Sequence, residues 1–340
     1  MHKNKLEQAL RKLESPILII SSQVGAGNVS VGEAIRERLK DRPGIYHLLI
    51  EDIELSMAIK DDILRYKFIS DNFPFFLNLV YRIPLFYYRK LIRERLSKRN
   101  NLSRLKEKIS SLEVKTVICV SHRPAFWLSV LKKKENLDFK LYGVLTEFGR
   151  NLGWKYIFWD VMDGFFSPLS QDKLGLSLPP TLRFIEIEPP CRTDFYVNHQ
   201  PKGDKNKVLV MTGYWGQVSF YKVRSVINSI FKEVPDVKVT AVCGTNKKLL
   251  KKLSFYFKEN SRVVIHGQLN STLEVMLECA SIITKPGFST IVEAHALGRA
   301  IFLLKGMPVA EENNARYSIA NFGAQWFKIK KFKQWYFKQS

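Results

Sequence analysis

The chain has 340 residues, 46% hydrophobic and 25% charged, a composition that excludes a disordered polymer and allows two α/β domains with cores of their own. Its 54 Lys and Arg against 32 Asp and Glu give a formal charge of +22, so a polyanionic partner is expected, either a membrane surface or nucleic acid. No apolar run approaches the roughly 18–20 residues of a spanning helix, nothing at the start reads as a secretory leader, and Cys119, Cys191, Cys243 and Cys279 lack metal-ligand spacing, which predicts a cytoplasmic protein with reduced thiols.

In chain order, Ile17–Ser21 is predicted as a buried strand, followed by a glycine loop through Gly25, Gly27 and Asn28 and a helix from Val29 to Leu39. Tyr46–Ile50 predicts a second strand. Residues 65–108 place large apolar groups, Phe73, Phe75, Phe76, Tyr81 and Phe86 among them, ahead of a cationic run that includes Arg89, Lys90, Arg93 and Arg95. Two or three helices with one aromatic face and one basic face are expected there, suited to a bilayer interface where each cation near an anionic leaflet adds about 1 kcal/mol. Thr116–Val120 predicts a strand ending in Ser121-His122-Arg123-Pro124, Phe139–Leu145 leads into Thr146-Glu147-Phe148, and Gly164-Phe165-Phe166 is another strand end. Asp172 to Asp194, with Pro179, Pro180, Pro189 and Pro190, reads as a link. Beyond it, Lys207–Thr212, Val237–Cys243, Arg262–His266, Ser281–Thr284 and Ala300–Leu304 predict strands, with a helix from Glu312 to Phe322. This alternation argues for two parallel sheets covered by helices. The tail from Lys328 to Lys338 repeats the basic, aromatic character of residues 65–108. With no RNP-type, KH or zinc-finger pattern, an anionic membrane surface met through residues near 65–108 and 328–340 is expected, and no nucleic acid.

The most informative segment is Ile282 to Ala294. An apolar strand end meets Lys285-Pro286-Gly287, and Ser289 and Thr290 are expected to cap the helix that follows. Such a turn presents backbone N–H groups and a positive helix end to a diphosphate, with Glu293 placed to accept hydrogen bonds from two ribose hydroxyls. A second segment, Pro308 to Ala315, carries Glu311 and Asn314.

In this order, with the glycine loop at Gly25-Ala26-Gly27-Asn28, Thr146-Glu147-Phe148 and Trp154, Met211-Thr212-Gly213, and Cys243-Gly244-Thr245-Asn246, these segments resemble glycosyltransferase family 28. That family has the GT-B fold and includes the enzymes that make monogalactosyldiacylglycerol and, processively, glucosyldiacylglycerol, with a more distant likeness to the N-acetylglucosaminyltransferase that completes lipid II. The resemblance implies an α/β chain of two Rossmann-like domains facing a central cleft, residues 1–185 for acceptor and membrane contact and 186–340 for the donor, with the family's C-terminal helices shortened. It implies an inverting transfer of a hexose from a UDP-sugar to a lipid acceptor, diacylglycerol, at the inner face of the cell membrane, with no permanently bound cofactor and no metal. By the same resemblance Gly213, Gly216 and Ser219 meet the phosphates, and Gly244 and Asn246 end the next strand. His266 and Gly267 read the base edge. Gly287, Phe288, Ser289, Thr290 and Glu293 hold the nucleotide, and Glu311 and Asn314 approach the sugar hydroxyls or ribose.

The chain departs from the family at four positions. The histidine of the first glycine loop is Asn28, that of the second motif aligns with Asn151, the aspartate of that motif is Glu147, and the usual glutamine is Ala310. Asparagine positions a hydroxyl but takes no proton, so Glu147 is the expected general base and His122 its alternative. The plainer reading has Glu147 in an ion pair with Arg150 or Arg123. Two other functions are weighed against the first: N-acetylglucosaminyl transfer to a polyprenyl-linked glycan, and a catalytically weak nucleotide-sugar-binding protein at the membrane.

Overall fold

A computed structural model describes residues 5–23, 26–53, 102–149, 152–196, 203–305 and 310–338. The helices expected over most of 65–108, and Asn151, lie outside them. The chain divides into two compact units, the first running through Arg192 and the second beginning at Thr193.

The first unit is built on six parallel strands: β1 (Ile17–Ser21), β2 (Ile45–Leu49), β3 (Thr116–Val120), β4 (Lys140–Val144), β5 (Gly164–Ser167) and β6 (Arg183–Glu186), in the order β2-β1-β3-β4-β5-β6. Every residue of β1, β3 and β5 is buried, which is why these strands read as continuous apolar runs. Helices α1 (Lys5–Leu10), α2 (Gly27–Arg38), α3 (Ile50–Ile53), α4 (Ser103–Ser111) and α5 (His122–Glu135) belong to this unit. α5 ends on Asn136 in the left-handed conformation, a common helix stop. Strand β6 lies in the proline-bearing segment that the sequence reads as a link, and it forms the outer edge of the sheet through Phe165↔Phe184 and Phe166↔Ile185.

The second unit holds β7 (Asp204–Met211), β8 (Lys238–Val242), β9 (Val263–His266), β10 (Cys279–Thr284), β11 (Ala300–Leu303) and β12 (Gln325–Trp326), parallel and in the order β12-β11-β10-β7-β8-β9. Its helices are α6 (Phe220–Glu233), α7 (Lys247–Tyr256), α8 (Leu273–Glu278), α9 (Phe288–Ala296), α10 (Ala310–Asn321) and α11 (Ile329–Lys338). Ser219 caps α6 by accepting from the Lys222 N–H at 3.3 Å, and Asn246 caps α7 by accepting from the Leu249 N–H at 2.9 Å.

The structure corrects the reading of the tail. Helix α11 places Phe332 and Tyr336 in the core of the second unit with Val226, Ile230 and Phe302, and Trp335 packs against the same cluster. Its apolar face therefore serves the core, and the exposed remainder is Phe337 with a row of lysines, of which Lys333 pairs with Glu233 at 2.8 Å. In the same way Leu105 and Ile109 of α4 are buried, and Lys106 pairs with Glu135 at 2.9 Å. No helix among the described residues is long and apolar enough to cross a membrane.

Candidate functional site

In the second unit the expected donor residues gather at the carboxyl ends of the parallel strands, where α/β sheets bind ligands. After β7 the chain turns at Gly213, with φ of 82°, and the Tyr214 carbonyl accepts from both the Thr245 N–H (2.7 Å) and the Thr245 hydroxyl (3.1 Å) of the loop after β8. Gly244, with φ of 59°, leaves no room for a side chain: a Cβ there would lie 2.1 Å from the Tyr214 oxygen. The Asn246 amide donates to the Gly216 carbonyl at 3.1 Å while its oxygen caps α7, so Asn246 works chiefly by fixing two loops. The His266 carbonyl accepts from the Cys243 N–H at 2.9 Å, and Gly267 follows beside Leu250.

At the end of β10 the cap differs from the sequence reading. Gly287 is the residue before the helix and Phe288 the first within it, so Ser289 and Thr290 lie in the first turn and do not cap it. The reason is conformational: Gly287 takes the extended φ of −72° and ψ of 133°, and no side chain caps α9. The first-turn N–H groups of Ser289 and Thr290 have no carbonyl of their own helix to meet, and with the helix dipole they favour an anion. Glu293 is buried on α9, and the Thr272 hydroxyl donates to it at 3.5 Å, the outer limit of a hydrogen bond. The Asn314 amide, also buried, donates to the Pro286 carbonyl at 3.1 Å and so braces the turn.

Lys285 received no role from sequence alone, and it proves central. Its ammonium pairs with Glu311, both side chains only 13% exposed. Its stem crosses Gly213, where a Cβ would meet Lys285 Cε at 2.2 Å, and Nζ would lie 3.8 Å from a Cβ on Gly287. One cation is thus held where the Gly213 loop, the start of α9 and the start of α10 converge. A lysine placed directly between an apolar strand and Pro-Gly was the available signal.

In the first unit, Asn28 lies in the first turn of α2. Its Oδ1 accepts from the Thr146 hydroxyl at 3.0 Å, and its carbonyl accepts from the Ser21 hydroxyl at 3.2 Å. Behind it runs a chain of polar groups from the buried Ser21 to the partly exposed Glu33: Ser21 Oγ lies 2.8 Å from His47 Nε2, and His47 Nδ1 lies 2.6 Å from Glu33 Oε1. Burial pushes the Glu33 carboxyl up, but hydrogen bonds from His47 and Arg36 outweigh this and hold it below the usual range. With its oxygen accepting from Thr146, Asn28 keeps Nδ2 as a donor. Glu147 follows Thr146 directly at the end of β4 and is half-buried.

His122 begins α5 after Ser121, whose φ of 93° is a strained backbone of the kind that costs about 1–3 kcal/mol and gathers at functional sites. Ser121 Oγ and His122 Nδ1 are buried with no hydrogen-bond partner among the described residues. Desolvation, with the Arg123 charge adding, lowers His122 to about 3, so the ring is neutral at physiological pH and a feeble base. Trp154 is core, packed edge-on to Phe165 at 4.7 Å.

No protein-family model matches the chain. It is similar to the processive diacylglycerol beta-glucosyltransferase of Bacillus cereus, 27% identical over 320 residues, covering 88% of this chain and 79% of the relative. The protein of that name from Bacillus cytotoxicus is 26% identical over 318 residues, with the same coverage. The resemblance to glycosyltransferase family 28 therefore holds along nearly the whole chain. Among solved structures, Acinetobacter baumannii MurG matches with a TM-score of 0.56 at 10% identity, covering 95% of this chain and 90% of that one. Os79 of O. sativa, in complex with U2F and a trichothecene, matches with 0.59 at 11% identity, covering 94% and 89%. Medicago truncatula UGT71G1, complexed with UDP-glucose, matches with 0.52 at 10% identity, covering 94% and 88%. The fold is GT-B.

Proposed function

We propose that this chain, a GT-B glycosyltransferase by its fold and relatives, moves a hexose with inversion from a UDP-sugar to diacylglycerol at an anionic membrane surface. The observation that carries the reading is the convergence of Lys285, the Gly213 loop and the first turn of α9 at one end of the second sheet, in a chain whose curated relatives are processive diacylglycerol beta-glucosyltransferases. A departing nucleoside diphosphate needs positive charge and oriented donors, and this arrangement supplies an ammonium and backbone N–H groups without reorganisation. When the diphosphate draws Lys285, Glu311 is released to accept from sugar hydroxyls.

The first unit handles the acceptor hydroxyl. Glu147 takes its proton as the new bond forms. Asn28 donates from Nδ2 to a lone pair of the same oxygen, which turns the proton away from the amide and toward a base. The Thr146 hydroxyl holds that amide in register.

A nucleotide-sugar-binding protein with little transfer activity is the second reading, favoured by one observation: the groups present at two of the family's histidine positions and at His122 accept protons poorly or not at all. Purified protein incubated with a panel of UDP-sugars, with and without diacylglycerol vesicles, separates the two. UDP release together with a glycolipid product supports transfer. UDP binding without product from any donor supports the second reading and ends the first.

A further inference from the structure

We propose that the face formed by α6 and α7 of the second unit is a docking surface for an anionic lipid bilayer, an inference that rests on the lipid-acceptor reading for its occupant but on its own residues for its existence. Two of the most exposed large apolar side chains among the described residues lie here, Phe255 at 75% and Tyr221 at 70%, with Tyr256 beside them at 45%. Large aromatic groups left in water on neighbouring helices call for a partner.

The chemistry around them says which partner. Helix α7 carries Lys247, Lys248, Lys251 and Lys252, all exposed, with no acidic residue, and among the described residues none of the four is in an ion pair. Lys222 adds a further exposed cation on α6. Aromatic rings with long cationic side chains around them match the headgroup level of an anionic leaflet, where rings sit at the apolar boundary and ammonium groups reach the phosphates.

Single-stranded nucleic acid also binds basic, aromatic surfaces, but it needs ring faces on which bases stack. Here a cation already stands over each of these rings, which competes with a base for that face. The Arg224 guanidinium lies 5.6 Å from the Phe220 and Tyr221 rings and 5.1 Å from Tyr256, Phe220 stands edge-on to both tyrosines, and Lys258 lies 5.6 Å from Phe255. Beside the cluster lies an open recess of about 500 Å³, lined by Asn228, Tyr256, Asn260, Ser261 and Arg262 with Glu259.

The test uses the full chain with Ser254→Cys labelled by a polarity-sensitive dye. Ser254 is exposed between Leu253 and Phe255, and all four native cysteines are buried, so labelling is selective. On vesicles of equimolar phosphatidylcholine and phosphatidylglycerol the dye should shift to the blue and be quenched by spin-labelled lipid, with no response to phosphatidylcholine alone. The combined change Lys248→Glu, Lys251→Glu and Lys252→Glu should lower partitioning by about 10-fold or more, and Tyr221→Ser with Phe255→Ser should lower it at unchanged charge. UDP affinity measured on each variant guards against misfolding, and Lys258→Cys is a second labelling position. Flotation with a silent dye would overturn the proposal, because another surface would then carry the membrane. No flotation, a dye response to single-stranded RNA in place of vesicles, or one that follows protein concentration without lipid would overturn it equally. Docking without sugar transfer to detergent-dispersed diacylglycerol would leave the surface standing and remove the enzymatic reading.

Discussion

Lys285 and Glu311 share a largely buried ion pair, so removing one alone strands the other. Lys285→Met combined with Glu311→Gln keeps the shape and should weaken UDP binding by about 1–3 kcal/mol in a calorimetric titration. Unchanged affinity would take Lys285 out of the donor site. Glu147→Gln should reduce transfer by about 100-fold or more with UDP affinity nearly constant, since only proton acceptance is lost. His122 offers a pH test. Its value falls from the ordinary 6.5 to about 3 in the folded state, so between these limits the unfolded chain binds more protons. The stability this neutral ring contributes is whole above 6.5 and declines as pH falls toward 3. His122→Gln should therefore flatten the fall in urea midpoint between about pH 6.5 and 5. The sequence made most of these residues legible by type and order. It did not disclose that Asn314 braces Pro286 or that Asn246 locks Gly216, because those roles come from loops far apart in the chain.

At the scale of elements, α11 is the instructive case. A helix with an aromatic face and a lysine face reads alike whether its rings meet lipid or a core, because periodicity reports amphipathicity and not the partner. Phe332 settles the matter by sitting fully buried against Phe302 at 5.2 Å. Phe332→Ala should destabilise the second unit by about 3–5 kcal/mol in denaturant unfolding. A loss below 1 kcal/mol would show the helix to be marginal. The central strands were legible because they are buried on both faces, whereas β6, with mixed burial and prolines on either side, gave no comparable run.

For the whole molecule, charge dominates. An excess of 22 positive charges should make vesicle association fall steeply with salt, because exposed charges are screened within about 10 Å at 0.1 M. Reversing Arg89, Lys90 and Arg93, which lie outside the described residues, should reduce flotation with anionic vesicles, and salt-insensitive binding would refute the interfacial role. The two-sheet plan was legible because strand and helix alternate twice, and the order of motifs carried the GT-B assignment that the solved structures bear out.

Phe332 and Tyr336 also set a schedule for synthesis. The first unit has its sheet complete once Glu186 has left the ribosome, but the second must wait for α11 before its core is closed. Nascent chains stalled ahead of Phe332 would carry the complete first sheet and a second unit still exposing Val226, Ile230 and Phe302, a surface for chaperones to hold until α11 arrives.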